Sequence, residues 1–203
     1  MGLRPSSSRA NQATATRQAL LNAARRLFAE RGYHATGTPE IAAAAGVTRG
    51  AMYHHFQDKE QLFEEVFKAV AKDLETAATA SVSALAEDPW RQMQEGLQSF
   101  LRLVARSHEI QRIILIDGPA VFGWSKWRRL ESDYTSVHLA RSFERLIRLG
   151  VIEPCPAETL AQLVVAALND AAMVIANASD PRAALPEVGD ALKALVSGLR
   201  TKP

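Results

Sequence analysis

The sequence predicts an all-α protein of about nine helices, a three-helix N-terminal head joined to a larger helical domain. Three observations carry this. Apolar residues recur at helical spacing along most of the chain, and no segment reads as a strand. Proline and glycine punctuate those segments where helices start and stop, as at Pro39 and Pro89 or Gly32, Gly46 and Gly150. The stretch Thr36 to Phe63, TGTPEIAAAAGVTRGAMYHHFQDKEQLF, places two short helices around one tight turn and opens a third. The expected organisation is an arm over 1–13, a head over 14–57 and a helical domain over 58–203.

Residues 1–13 hold Pro5, three serines and no apolar periodicity, which predicts a mobile arm. Helix 1 is expected from Thr14 to Arg31, with Leu20, Ala23, Ala24, Leu27 and Phe28 on one face. Gly32 closes it, and Tyr33 folds back on Phe28. In the next helix Thr38 serves as N-cap, Pro39 takes the first helical position, and Glu40 sits near the positive end of the dipole. Ile41, Ala44 and Ala45 share a face whose small side chains permit a close crossing. Gly46 stops the helix where a positive φ is needed, Val47 plugs the corner, and Thr48 caps a second helix from Arg49 to about His54. The pair is a helix-turn-helix, whose second helix enters a DNA major groove.

Residues Ile41 to Phe63, IAAAAGVTRGAMYHHFQDKEQLF, resemble the DNA-binding segment of the tetracycline-repressor-like (TetR) family of bacterial transcriptional regulators. That family's pattern is Ile-Ala, two variable residues, Ala-Gly-Val, a small hydroxyl residue, a Tyr-x-His/Tyr-Phe cluster and a Lys opening the next helix. Every position is filled here, and the resemblance covers Thr14 to about Phe67. It implies that Thr38, Tyr53, His55 and Lys59 touch backbone phosphate and that Arg49 and Gly50 read sequence. It also implies a homodimer formed through the last two long helices.

The residues themselves support a similar assignment. Thr48, Arg49 and Gly50 occupy the turn nearest the base edges, and the Arg49 guanidinium can donate two bonds to guanine. Gly50 costs about 1 kcal/mol of helix propensity relative to Ala, a cost that close approach to DNA would explain. Tyr53 and His55 offer hydrogen bonds to phosphate and Lys59 a charge; with His54 they complete the candidate DNA-binding set. Phe56 reads as core. Adjacent helical residues point about 100° apart, and His54 and His55 have no Cys, Asp or Glu partner, so no metal site is expected. Arginines of the arm can reach a neighbouring minor groove; the alternative is a solvated tail.

Charge follows the same division. The first 60 residues hold eight bases (Arg4, Arg9, Arg17, Arg25, Arg26, Arg31, Arg49, Lys59) against four acids (Glu30, Glu40, Asp58, Glu60). The remaining sixteen of the 24 bases face eighteen of the 22 acids, so a basic excess coincides with the head. One cysteine, Cys155, lies in a Pro-Cys-Pro loop and fits a reducing compartment. No apolar run approaches the ~18 residues of a membrane span, and the polar N-terminus is not a signal peptide. A cytoplasmic location without membrane partners is expected.

Helix 4 opens at Asp58, with Gln61 as capping-box partner, and its stripe Leu62, Val66, Ala69, Val70 and Leu74 runs on into the second region as a mechanical link. Pro89 starts a helix with Met93, Leu97, Phe100, Leu101 and Val104 inward. His108 to Ile116 predicts a short buried helix, broken by Asp117-Gly118-Pro119. A long helix from Ser125 to Leu149 carries Leu130, Tyr134, Val137, Phe143 and Leu146. Helix 8, Ala157 to Ala178, is apolar nearly all round, and helix 9 is expected from Leu185 to Leu199 with Pro186 in its first turn. A second subunit against Leu160, Leu163, Val164, Ala167, Ala171, Leu192, Leu195, Val196 and Leu199 would cover them. The alternative is a helix 8 buried wholly within its own chain.

The expected function is sequence-specific binding of a palindromic double-stranded operator, with release by a small hydrophobic or aromatic effector. Phe100, Phe122, Trp124, Trp127, Tyr134 and Met173, with His138, Asn169 and Asp170 as polar groups, are the candidate effector-binding residues; the alternative for each is plain core. Trp124 and Trp127 read as an entrance pair beside a loop freed by Gly118 and Gly123. An α-helical carrier or enzyme without DNA readout is the competing class. Asp117, His138 and Asp170 are its only scattered candidates, and no phosphate-cradling loop, metal set or cofactor motif accompanies them. Repression and activation are not separable from sequence.

Overall fold

Short-range signals set the helix ends in the computed structural model, which describes residues 6–80, 82 and 88–201, the side chains of 6–9 and 131–135 excepted. Among the described residues there are nine α-helices and one π-helical segment, and the only β feature is an isolated bridge between Ile152 and Arg200. The chain divides into two compact units, Met1–Ala69 and Val70–Pro203. The division falls inside one helix, α4 (Lys59–Ala80), rather than at the α3–α4 junction that the sequence suggests.

In the first unit α1 runs Ser6–Arg31. It starts well before the expected Thr14, because nothing between Ser6 and Thr14 breaks a helix. The expected arm is therefore helical from Ser6, while Arg4 lies outside the described residues. Gly32 ends α1 at φ 82°, and Tyr33 packs on Phe28 at 5.7 Å between ring centroids, as the sequence suggests. Next come α2 (Thr38–Ala44) and α3 (Arg49–His55). Leu20, Phe28, Ile41, Met52, Phe56, Phe63 and Phe67 form the core, with Phe28 and Phe63 edge to face at 5.2 Å. Ala42 is the alanine buried beside Ile41. Ala44 is exposed and Ala45 half-buried, a correction of the expected face by one helical step.

The second unit continues α4 and adds α5 (Pro89–Arg106), α6 (His108–Ile110), a π-helical segment (Gln111–Asp117), α7 (Gly118–Arg148), α8 (Ala157–Asn177) and α9 (Pro181–Ser197). Asp117-Gly118-Pro119 does not break the chain direction. Pro119 sits in the first turn of α7, where its missing N–H costs little. The break comes at Gly123, whose φ of 70° only glycine adopts without strain. In π register the carbonyl of Ile114 would look to the nitrogen of Pro119, which carries no hydrogen. The indole N–H of Trp127 takes that carbonyl instead, at 2.8 Å, and Trp127 is fully buried. Helix α9 starts at Pro181, since Asp180 accepts from the N–H groups of Arg182 and Ala183; Pro186 therefore lies inside the helix and not in its first turn.

Helix α8 packs against α5, α7, α9 and the π segment. Its 21 residues are long and apolar enough to cross a membrane by length and composition, correcting the expectation that no stretch reaches that limit; core helices of soluble folds meet the same criterion. It is not buried on all sides. Ala161, Val164, Val165, Leu168, Ala172 and Ile175 face inward, whereas Leu163 and Val174 are 65% and 52% exposed. On α9, Leu192 and Val196 are core and Leu195 is 59% exposed. Val164, Leu192 and Val196 thus leave the expected dimer face, because they pack within their own chain. Leu160, Ala167, Ala171 and Leu199 are half-buried.

Candidate nucleic-acid interface and cavity

Helix α2 closes with the pattern that glycine permits. The N–H groups of Gly46 and Val47 bond to the carbonyls of Ala43 and Ala42 at 3.1 and 2.9 Å, with Gly46 at φ 69°. Only a residue or two later α3 begins. The hydroxyl of Thr48 accepts the N–H of Ala51 at 3.1 Å, so Thr48 is the N-cap that the sequence predicts. Thr38 is not. Gly37 is the cap of α2, its N–H taken by the Glu40 carboxylate at 3.0 Å. The Thr38 hydroxyl is instead shared with the Tyr53 hydroxyl at 3.4 Å, which links the two helices on their exposed side.

Met52 and Phe56 hold α3 on the core, leaving Thr48, Arg49, Gly50, Tyr53 and His54 exposed on the opposite side. Arg49 lies over the Tyr53 ring, 5.6 Å from the centroid. Hydrogen bonding to Thr38, and after it to Arg49, holds the Tyr53 phenol below its ordinary pKa. Gly50 has a helical neighbourhood with room to spare: an added Cβ would meet only the Thr48 hydroxyl, at 3.9 Å. His55 is half-buried. Lys59 is committed elsewhere than its expected role suggests. Its ammonium donates to the carbonyls of Tyr33 and Thr36 at 3.0 and 3.2 Å and lies 4.0 Å from the Tyr33 ring centroid.

The frame behind this face is braced by charge. Arg31 pairs with Glu40 at 3.0 Å, and Arg17 pairs with Glu65 at 2.7 Å while covering the Phe56 ring. Asp58 caps α4 by accepting from Gln61 at 2.7 Å. The Gln61 side chain in turn takes the N–H of Gln57 rather than that of Asp58. Thr36, which the sequence does not single out, is buried and donates to the carbonyls of Gly32 and Leu27.

The second unit holds an open-sided cavity of about 260 Å³. Helix α4 supplies Ala71, Leu74, Glu75, Ala78 and Thr79; α5 supplies Gln92, Met93, Gly96, Leu97 and Phe100; α7 supplies His138, Leu139, Ser142 and Arg145. Ile114 and Leu168 complete the apolar floor. His138 and Glu75 are 2.9 Å apart, and Arg145 reaches the Gln92 side-chain oxygen at 3.5 Å. Of the expected effector residues, Phe100 and His138 line this cavity. Trp127 is core, Trp124 is 62% exposed and Phe122 lies under the Lys126 ammonium, so the tryptophan pair frames no entrance to it. Asn169 is buried, Asp170 exposed and Met173 half-buried, all outside the lining. The Tyr134 side chain lies outside the described residues. Glu75, Gln92 and Arg145 were not anticipated, since charged and amide groups on helices read by default as solvated.

Residues 20–66 match the family described as bacterial regulatory proteins, tetR family, and residues 90–199 match the tetracyclin repressor-like C-terminal domain. The chain is similar to a solved TetR-family transcriptional regulator from Pectobacterium atrosepticum, with 35% identity, a TM-score of 0.82, and coverage of 95% of this chain and 98% of that one. It is 26% identical to the TetC protein of transposon Tn10 from Escherichia coli over 149 residues, 73% of this chain and 74% of that protein. It is 53% identical to the transcriptional regulator AcrR of Shigella flexneri over 57 residues, 28% of this chain and 26% of that protein.

Proposed function

The chain belongs to the TetR family of bacterial transcriptional regulators, and from that premise we propose that it is a repressor that binds a palindromic operator as a homodimer and leaves it when a small effector occupies the second unit. The observation that carries the DNA reading is the face of α3. Its inner side is core at Met52, with Phe56 buried just beyond its end, while Thr48, Arg49, Gly50 and Tyr53 stand in solvent, and neither Arg49 nor Gly50 packs on the core. In this reading Arg49 reads base edges, Gly50 allows the duplex backbone close, and Thr38, Thr48, Tyr53, His54 and His55 contact phosphate. Lys59 contributes charge, with two of its three donors already committed within the head.

The cavity between α4, α5 and α7 is the effector site of this proposal, supported by its apolar floor and few polar groups. Helix α4 gives residues to both units, so a ligand that favours one setting of α4 shifts the population that fits the operator. The dimer is assigned to Leu163 and Val174 of α8 and Leu195 of α9, whose exposure within one chain supports that role, with the half-buried Ala167 and Ala171 between them on α8. Selection of random duplexes by the pure protein tests the reading. A dyad-symmetric consensus with steeply salt-dependent affinity is expected. Recovery of no consensus would refute it.

A further inference from the structure

The polar groups of the cavity are not distributed evenly. His138 and Arg145, two turns apart on α7, are the groups that offer hydrogen-bond donors on charged or chargeable side chains. Their acceptors stand on the other walls, Glu75 on α4 for His138 and the Gln92 oxygen on α5 for Arg145. Both α7 residues are largely exposed, so they mark the open side, while Met93, Leu97, Phe100 and Leu168 are buried behind them. The geometry is that of a compact apolar space with a donor row at its rim, each donor held by an acceptor that another anion can replace.

We propose, resting on the reading of this cavity as the effector site, that the effector is a compact amphipathic organic acid whose anionic head takes His138 and Arg145 from Glu75 and Gln92. An amine is the poorer fit. It has one carboxylate to pair with, must displace His138 from it, and then lies near the Arg145 guanidinium. An acid gains two charge-assisted bonds. Glu75 holds the Nε2 of His138, so an acid that takes that nitrogen must displace the Glu75 carboxylate. Acid binding therefore selects the arrangement in which Glu75, and with it that turn of α4, has parted from α7. Glu75 is a positioning residue in this scheme: it holds α4 to α7 in the ligand-free protein and opposes the ligand.

Calorimetric titration of the full chain with 4-butylbenzoate, 4-butylbenzamide and 4-butylbenzylamine tests this. The benzoate is expected to bind at least about tenfold more tightly than the other two. Arg145→Ala should abolish that preference, and Glu75→Gln should tighten the benzoate severalfold while leaving the amide unchanged. Equal or tighter binding of the amine or the amide, or binding of none of the three, overturns the acid assignment. Ala78→Trp and Gly96→Leu fill the cavity from two walls, with circular dichroism to verify folding. Binding that survives both folded variants overturns the effector-site reading itself. Binding lost in them but indifferent to charge overturns only the acid.

Discussion

The Lys59 ammonium lies 4.0 Å from the centre of the Tyr33 ring and donates to the Tyr33 carbonyl at 3.0 Å. With its second bond, to the Thr36 carbonyl, it ties the first residue of α4 to two carbonyls of the α1–α2 loop, that of Tyr33 accepting also from the Thr36 N–H. Lys59→Ala should therefore lower the stability of the head by about 1–3 kcal/mol, read from urea denaturation. An unchanged midpoint would mean that the carbonyl bonds contribute nothing. The salt dependence of operator binding separates the two roles. Loss of a phosphate contact flattens the slope by about one unit, whereas loosening of the head lowers affinity at constant slope.

As a phosphate contact, Tyr53 should give the operator complex an alkaline limit. Its phenol is held below the ordinary value of 10.0 by Thr38 first and Arg49 second, so the anion forms at lower pH than in a free tyrosine. A group with a depressed folded pKa favours the folded state as pH rises through that pKa, so the head itself is not weakened there. DNA binding should be. A phenolate placed against phosphate would repel it, so on the proposed interface operator affinity should fall as pH climbs toward, but below, 10.0. Tyr53→Phe should remove that fall, measured by fluorescence anisotropy of labelled operator at fixed ionic strength. An identical pH profile in the variant would exclude Tyr53 from the interface.

Two glycines in neighbouring positions should respond oppositely to Ala. Gly46 is at φ 69°, where a Cβ costs roughly 1–2 kcal/mol, so Gly46→Ala should melt earlier. Gly50 is helical, with its nearest neighbour for an added Cβ at 3.9 Å, so Gly50→Ala should gain about 0.5–1 kcal/mol of stability. If the duplex backbone approaches there, the more stable protein will bind operator less tightly. Stability and affinity rising together would show that Gly50 makes no room for DNA.

The head was legible in the sequence because its signals are local. Gly46, Thr48 and Asp58 each act within a few residues, and the structure uses all three as the sequence suggests. Thr38 misled because its hydroxyl is claimed by Tyr53, fifteen residues away, a competition that no cap rule includes. In the second unit the same limit applies more widely. In the π register of Gln111–Asp117 the carbonyl of Ile114 is taken by the indole of Trp127, thirteen residues on, which makes an expected entrance residue part of the core. Glu75 and Arg145 were hidden for a related reason. Which face of α4 and α7 encloses space depends on how three helices splay, and an amphipathic stripe reports only which face is apolar.

The two sides of α8 differ in what they meet. Val164 is 3% exposed and packs within its own chain, while its neighbour Leu163 is 65% exposed. A carboxylate at Val164 would be buried without a partner, so Val164→Asp should unfold the protein, at a cost of several kcal/mol. Leu163→Asp places the same charge in solvent and should leave the helical content and melting of the chain nearly intact. Its effect should fall on assembly: light scattering is expected to give the mass of two chains for the native protein and of one chain for Leu163→Asp, with operator affinity lost in parallel. Val174→Asp, on the same face three turns on and 52% exposed, should behave like Leu163→Asp. If both variants remain dimers, the exposed side of α8 is not the dimer face, and the apolar residues there need another partner.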